Sequence, residues 1–289
     1  MSTGANRRVV GVVVVAVGVT AFAAPADAQL LDRVKKAAEV AQRVAPAVIS
    51  ISTEQEVEIG RGIAATIAGY YGLVQDPELT RYVNLVGMAV ASVKPRPDIV
   101  YRFAVLDTDA VNAMAAPGGY VFVTRGALAL MNDEAMLAGV LGHEIGHVNR
   151  RHVVKEIQAR ARAELGLEGI AEQIDITGEE YLEQTVHLGT TALFMGLSRE
   201  DELEADAYGV EAAAGAGYDP NGLTRFLAML PSAEAERRSL LTKTHPDIED
   251  RMEEVDDAIG DLDIDAGTVT ADDRFQDRST VETPSAGGR

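Results

Sequence analysis

Apolar and polar positions follow two different periods along this chain, and the switches between them mark its elements. Over residues 30–44, 59–71 and 77–93, apolar side chains return every three or four positions, which gives a helix one face to bury. Asp76-Pro77 fits a helix start, because the carboxylate can cap free backbone N–H groups and proline is tolerated in the first turn. Residues 98–106 alternate instead, with Ile99, Tyr101, Phe103 and Val105 on one side, and predict a strand. Residues 111–115 and 120–124 read as two strands paired across Pro117-Gly118-Gly119. The helical period returns at Met136, Leu137, Val140, Leu141, Ile145 and Val148. Asn132 is placed to cap that helix, with Asp133 and Glu134 suiting its positive end. Residues 155–180 are charged and lack a clear period; they read as a helix and a loose loop that could cover a cleft. Further helices are expected over 181–197 and 198–215, from Asp219-Pro220, and over 246–259, stopping at Gly260. The elements together predict an α+β fold, mainly helical, with a small antiparallel sheet.

The ends of the chain differ from this pattern. Arg7 and Arg8 precede an apolar run over 9–24, and Ala26-Asp27-Ala28 forms a small-x-small site before Gln29, so residues 1–28 read as a signal peptide. That run is short for a membrane span, which needs about 20 residues; an uncleaved anchor is the competing reading. No later run is long enough, so no stable membrane insertion is expected after cleavage, and export to the periplasm, or secretion, follows. Residues 29–260 make one domain. Residues 261–289 are polar and acidic and are expected to form a mobile tail. There is no cysteine, hence no disulfide and no thiol for lipid attachment. A net charge of −19 argues against nucleic acid or an anionic membrane surface as a partner.

The chemistry is concentrated at His143-Glu144-Ile145-Gly146-His147. Histidines four apart share a helix face and can reach one metal, and with only five histidines in 289 residues the pairing is informative. Two neutral imidazoles suit zinc, and Glu144 beside them can take a proton from water. A third ligand is required. A histidine six residues after His147, with a glycine between, is ruled out by Val153 and Arg150. The segment Ser198-Arg199-Glu200-Asp201-Glu202-Leu203-Glu204-Ala205-Asp206 offers a glutamate instead. Glu202 and Asp206 share a face, so Glu202 can bind metal while Asp206 holds a ligand histidine in one tautomer. Glu200 and Glu204 point elsewhere and read as solvated charge.

Asn112-Ala113, Pro117-Gly118-Gly119-Tyr120, Arg125-Gly126, Leu137-Ala138-Gly139-Val140-Leu141-Gly142, the His-Glu-x-x-His run, Arg151-His152, Ser198-Arg199, Glu202, Ala205-Asp206 and His245-Pro246 occur in one order and spacing. In these the chain resembles the HtpX-type zinc metallopeptidases, the family that also holds the CAAX prenyl endopeptidases and the mitochondrial Oma proteases. Met114-Ala115-Ala116 departs from it, where an aromatic residue and a leucine are more usual. The resemblance implies a zincin-like (gluzincin) domain with one Zn2+ per chain, held by His143, His147 and Glu202, with Asp206 behind them. It also implies His245 and Arg251 near the metal. They could hold the oxyanion that hydroxide attack creates, or His245 could be a fourth ligand in a resting form. Tyr208 is a weaker oxyanion candidate; His152 is expected to hydrogen-bond within the core, and His187 to be structural or exposed. The implied activity is zinc-dependent endoproteolysis of misfolded or misassembled envelope proteins. The rival from another class is a zinc-stabilised chaperone or assembly factor with little proteolysis. Nothing in the sequence sets the oligomeric state.

Overall fold

The computed structural model describes residues 50–165, 179–230, 245, 248–262 and 268–279. The signal peptide, the expected helix over 30–44, the loop before 179 and the last ten residues lie outside them.

Helix α1 (Thr53–Tyr71) begins before the expected position 59 because Ser52 and Gln55 form a reciprocal capping box. Helix α2 (Pro77–Ala91) is capped as expected by Asp76, which accepts from the amides of Glu78 and Leu79. Strand β1 (Arg102–Leu106) follows, then β2 (Ala113–Ala116), a 3-10 turn at Pro117–Gly119, and β3 (Tyr120–Thr124). The expected β2–β3 hairpin is present and antiparallel. The sheet as a whole is mixed, in the order β1-β3-β2, because β1 pairs with β3 in parallel. Alternation gives a strand's faces but not the direction of its neighbour, so this was not legible from the pattern. Gly118 and Gly119 have φ of 73° and 92°, and a Cβ on Gly118 would fall 2.7 Å from the Val57 backbone. The turn thus docks on α1 through Gly118, while a Cβ on Gly119 would fall as close to Ile99 and Val100. A short helix, α3 (Arg125–Leu130), leaves β3, capped by Thr124.

Helix α4 (Glu134–Asn149) runs through the middle of the domain and is buried from Glu134 to Val148. Its N-cap is Asp133, whose carboxylate accepts from the Met136 amide, and not Asn132 as expected. Helices α5 (His152–Leu165), α6 (Glu179–Met195), α7 (Arg199–Gly215), α8 (Gly222–Met229) and α9 (Ile248–Gly260) follow. Helices α4 and α7 cross at Gly142 and Gly209. A Cβ on Gly142 would lie 2.8 Å from the Gly209 carbonyl oxygen, and one on Gly209 would lie 2.7 Å from the His143 nitrogen. Neither helix could approach so closely with a larger residue there.

The polar stretch after Gly260, expected as a mobile tail, packs on the fold where it is described. Val269 bridges Tyr218, and helix α10 (Asp272–Ser279) buries Phe275. Arg274 forks onto the buried carboxylate of Glu134, which also accepts from the hydroxyls of Tyr82 and Tyr218. One buried aromatic and two ion pairs, Arg274 with Glu134 and the exposed Arg278 with Glu78 at 3.7 Å, are too few to produce a period, which is why composition alone suggested a tail. Arg274→Ala is expected to cost about 1 kcal/mol in denaturant unfolding, since Glu134 keeps both tyrosines and Arg274 itself is more than half exposed. No change would mean that α10 does not depend on this pair.

Candidate metal centre

The close approach of α4 and α7 brings two ligand pairs together. On α4, His143 Nε2 and His147 Nε2 stand 2.9 Å apart. On α7, Ser198 caps the helix and fixes its register, and Glu202 Oε2 lies 3.6 Å from His143 Nε2 while its Oε1 lies 3.6 Å from His147 Nε2. His245 closes the group: its Nδ1 is 2.7 Å from Glu202 Oε2 and 3.4 Å from His143 Nε2. The four residues are buried, and their donor atoms lie within 4.8 Å of one another. A second layer backs the first. Asp206 Oδ1 is 2.7 Å from His143 Nδ1, and Arg251 grips Asp206 with Nε and Nη2, each at 2.7 Å. Arg251 Nη1 has no hydrogen-bond partner and lies 3.5 Å from Glu202 Oε2. Glu144 is 1% exposed, neither of its carboxylate oxygens has a hydrogen-bond partner, and Oε1 is 3.9 Å from His245 Nε2.

Burial and charge compete at each group. Burial raises the pKa of Glu144, and the charges of His245 and His143 only partly offset it, so the carboxyl is tuned toward holding a proton. Burial also opposes charge on Glu202 and Asp206. It is outweighed by His245 and the other histidines for Glu202, and by Arg251 for Asp206, so both stay well below the usual carboxylate range. His147 is pushed down by burial and then by His143. For His245 burial works the same way, but the Glu202 carboxylate overcomes it and raises the pKa.

The donor set fits a divalent metal. With its Nδ1 proton given to Asp206, His143 is left with a lone pair on Nε2, aimed at the Nε2 of His147. Two converging lone pairs and a buried carboxylate oxygen without a partner, Glu202 Oε1, call for a cation between them.

Every residue expected at the site is there: His143, Glu144, His147, Glu202, Asp206, His245 and Arg251. Arg251 is 2% exposed, which rules out an ordinary surface arginine. Tyr208 is turned away: its hydroxyl donates to the Lys94 carbonyl at 3.0 Å and accepts from Asn149. Glu200 and His187 are exposed, as expected. Sequence reasoning passed over Gly142, Gly146 and Gly209, which let α7 approach; glycines three to four apart in an otherwise apolar helix are a visible signal for such a contact. Glu204, read as solvated charge, is exposed as expected but also accepts from His152.

The profile of peptidase family M48 matches residues 75–259, more than half of the chain. The beta-barrel assembly-enhancing protease of Escherichia coli (strain K12) is 28% identical over 212 residues, covering 70% of this chain and 43% of that one. The mitochondrial metalloendopeptidase OMA1 of Schizosaccharomyces pombe is 29% identical over 181 residues, 62% of this chain and 52% of its own length. The metalloprotease LoiP of Escherichia coli (strain K12) is 31% identical over 147 residues, 51% of this chain and 58% of its own. The chain thus spans about half the length of the curated relatives it matches.

Proposed function

The chain belongs to peptidase family M48, and from that premise we propose that it is a zinc-dependent endopeptidase working by metal-activated water. The observation that carries this reading is the buried, unpartnered carboxylate of Glu144 beside the His143, His147, Glu202 and His245 cluster. A purely structural metal site has no use for such a base. His143, His147 and Glu202 would hold the zinc, with Asp206 keeping His143 in the Nδ1–H tautomer. A zinc ion there supplies Lewis acidity, which brings the pKa of water down toward about 7. Glu144 takes the proton of the attacking water on a carboxylate oxygen and delivers it to the leaving amine. Arg251 Nη1 remains as a donor for the developing oxyanion. Strand β2 lies at a sheet edge and packs on α4; its four residues are buried, so its main chain would pair with an extended peptide only once the segments covering it move aside. Unfolded or misassembled envelope proteins are the substrates in this reading, and the segment over 1–28 directs export to the periplasm. Among the described residues no helix is long and apolar enough to cross a membrane.

A second reading has one observation in its favour. His245 adds a fourth protein donor, and a closed four-ligand set is a feature of structural zinc. A latent peptidase and a zinc-stabilised chaperone would then look alike until His245 moves. Cleavage of casein separates them. The wild type is expected to cut casein, to stop with a chelator and to recover with zinc, and His245→Ala is expected to cut several-fold faster. No cleavage by either protein would favour the chaperone. A fall of about 10²–10³ in kcat for His245→Ala would make His245 an oxyanion donor instead.

The ligand assignment is tested by substitution. Glu202→Ala is expected to lose zinc outright in elemental analysis, Glu200→Ala to keep it, and Asp206→Ala to bind about 10–100-fold more weakly. One equivalent of zinc in Glu202→Ala would remove Glu202 from the ligand set.

A further inference from the structure

The reaction proposed above leaves one imidazole at the site without a task. His152 opens α5 and is fully buried, with its Nδ1 2.8 Å from His147 Nδ1 and its Nε2 2.9 Å from Glu204 Oε2. Glu204 stands on α7, partly exposed, with Arg150 Nε at 3.2 Å and Lys155 Nζ at 3.9 Å. The turn that places His152 is itself constrained. Arg151 sits at φ 59°, donates to the Ile51 carbonyl at 2.5 Å and pairs with the buried Glu56 at 2.8 Å.

We propose that His152 and Glu204 are positioning residues for His147. They form a relay that fixes its tautomer and ring orientation, as Asp206 does directly for His143. The proposal rests on the reading of His143, His147 and Glu202 as metal ligands. The proton count follows from the contacts. His147 Nε2 faces the cluster and must offer a lone pair, so Nδ1 carries the proton. The neighbour of that proton is His152 Nδ1, which must then accept. The proton of His152 therefore sits on Nε2, where the Glu204 carboxylate accepts it. Turning any member round sets two N–H groups or two lone pairs against each other in a buried space. The chain is a carboxylate–imidazole–imidazole version of the carboxylate–histidine pairs that orient metal ligands and strengthen them.

The same residues do not make a second metal site. His152, Asp201 and Glu204 do bring three donor atoms within 4.8 Å. But Glu204 already answers Arg150 and Lys155, and Asp201 Oδ2 accepts from Ser198 Oγ at 2.9 Å. A further cation would meet two positive side chains.

Two polar substitutions separate the two ends of the relay. In His152→Asn the amide oxygen takes the place of Nδ1 and still accepts from His147; in His152→Gln the amide reaches the place of Nε2, keeping Glu204 and losing His147. Any general loss of packing is shared by the pair, and melting of the metal-free proteins checks that it is. Zinc affinity is measured by competition with a chelating indicator on the full chain, and the visible spectrum is recorded with Co2+. The expected result is that His152→Asn binds zinc within about threefold of the wild type and keeps its Co2+ spectrum. His152→Gln is expected to bind about 10–100-fold more weakly, with a changed spectrum. Glu204→Ala is expected to lose about threefold, since water can replace an exposed acceptor. Equal affinities for Asn and Gln, whether both normal or both weak, would overturn the relay while leaving the ligand assignment standing. Failure of the wild type to bind one equivalent of zinc would overturn that assignment, and the relay with it.

Discussion

Glu144→Gln is expected to stop peptide hydrolysis while the protein keeps its fold and one equivalent of zinc. The substitution preserves the shape of the side chain and removes only its ability to take a proton. Glu144 touches none of the elements that hold the site together: neither of its oxygens has a hydrogen-bond partner, and its nearest charged neighbour in the cluster is His245 at 3.9 Å. Removing a buried carboxyl that makes no hydrogen bond leaves no donor stranded, so stability should hold or rise slightly. General-base catalysis by a positioned carboxylate contributes about 10²–10⁴ in rate, so cleavage should fall by at least about a thousandfold if the same group also protonates the leaving amine. Peptide cleavage and zinc content, measured on one preparation, should separate cleanly. Cleavage at a tenth of the wild-type rate would take the proton-transfer role away from Glu144, and loss of the metal would make it a ligand.

Most of this site was legible in the sequence because its parts are local. His143 and His147 lie four apart on one helix, and so do Glu202 and Asp206 on another; spacing alone gives each pair a common face. The meeting of the two pairs is not local. It depends on Gly142 and Gly209 letting two helices touch backbone to backbone; the glycine spacing in α4 signals that some helix can approach there, but nothing in it says which one. The same division runs through the fold. Helix α2 and the β2–β3 hairpin carry their own signals, a proline-led cap and a Pro-Gly-Gly turn between two short runs, and appear as expected. The parallel pairing of β1 with β3 and the docking of Phe275 and Arg274 are set by partners far along the chain. Glu204 shows the limit most clearly. It has a charged side chain in a charged run, and only the fold brings His152 to it.

Arg251→Met is expected to destabilise the metal-free protein by about 3–5 kcal/mol, the cost of leaving a buried charge without its partner. The side chain is 2% exposed, and two of its nitrogens hold Asp206, which is itself fully buried. Burial opposes charge on both groups, yet each holds the other charged: Asp206 well below the usual carboxylate range, Arg251 above the usual guanidinium one. Methionine fills much of the space and restores none of the charge. Asp206 would then be left with His143 Nδ1 alone, and zinc affinity should fall with it. The cause can be isolated with a double-mutant cycle in denaturant. Adding Asp206→Asn to Arg251→Met removes the stranded carboxylate, so the double variant should be more stable than Arg251→Met alone, with a coupling of at least about 2 kcal/mol. Additive losses would mean that Arg251 acts by packing and not as the counter-charge of Asp206. Wild-type stability with a fall confined to kcat would mean that its place is at the oxyanion alone.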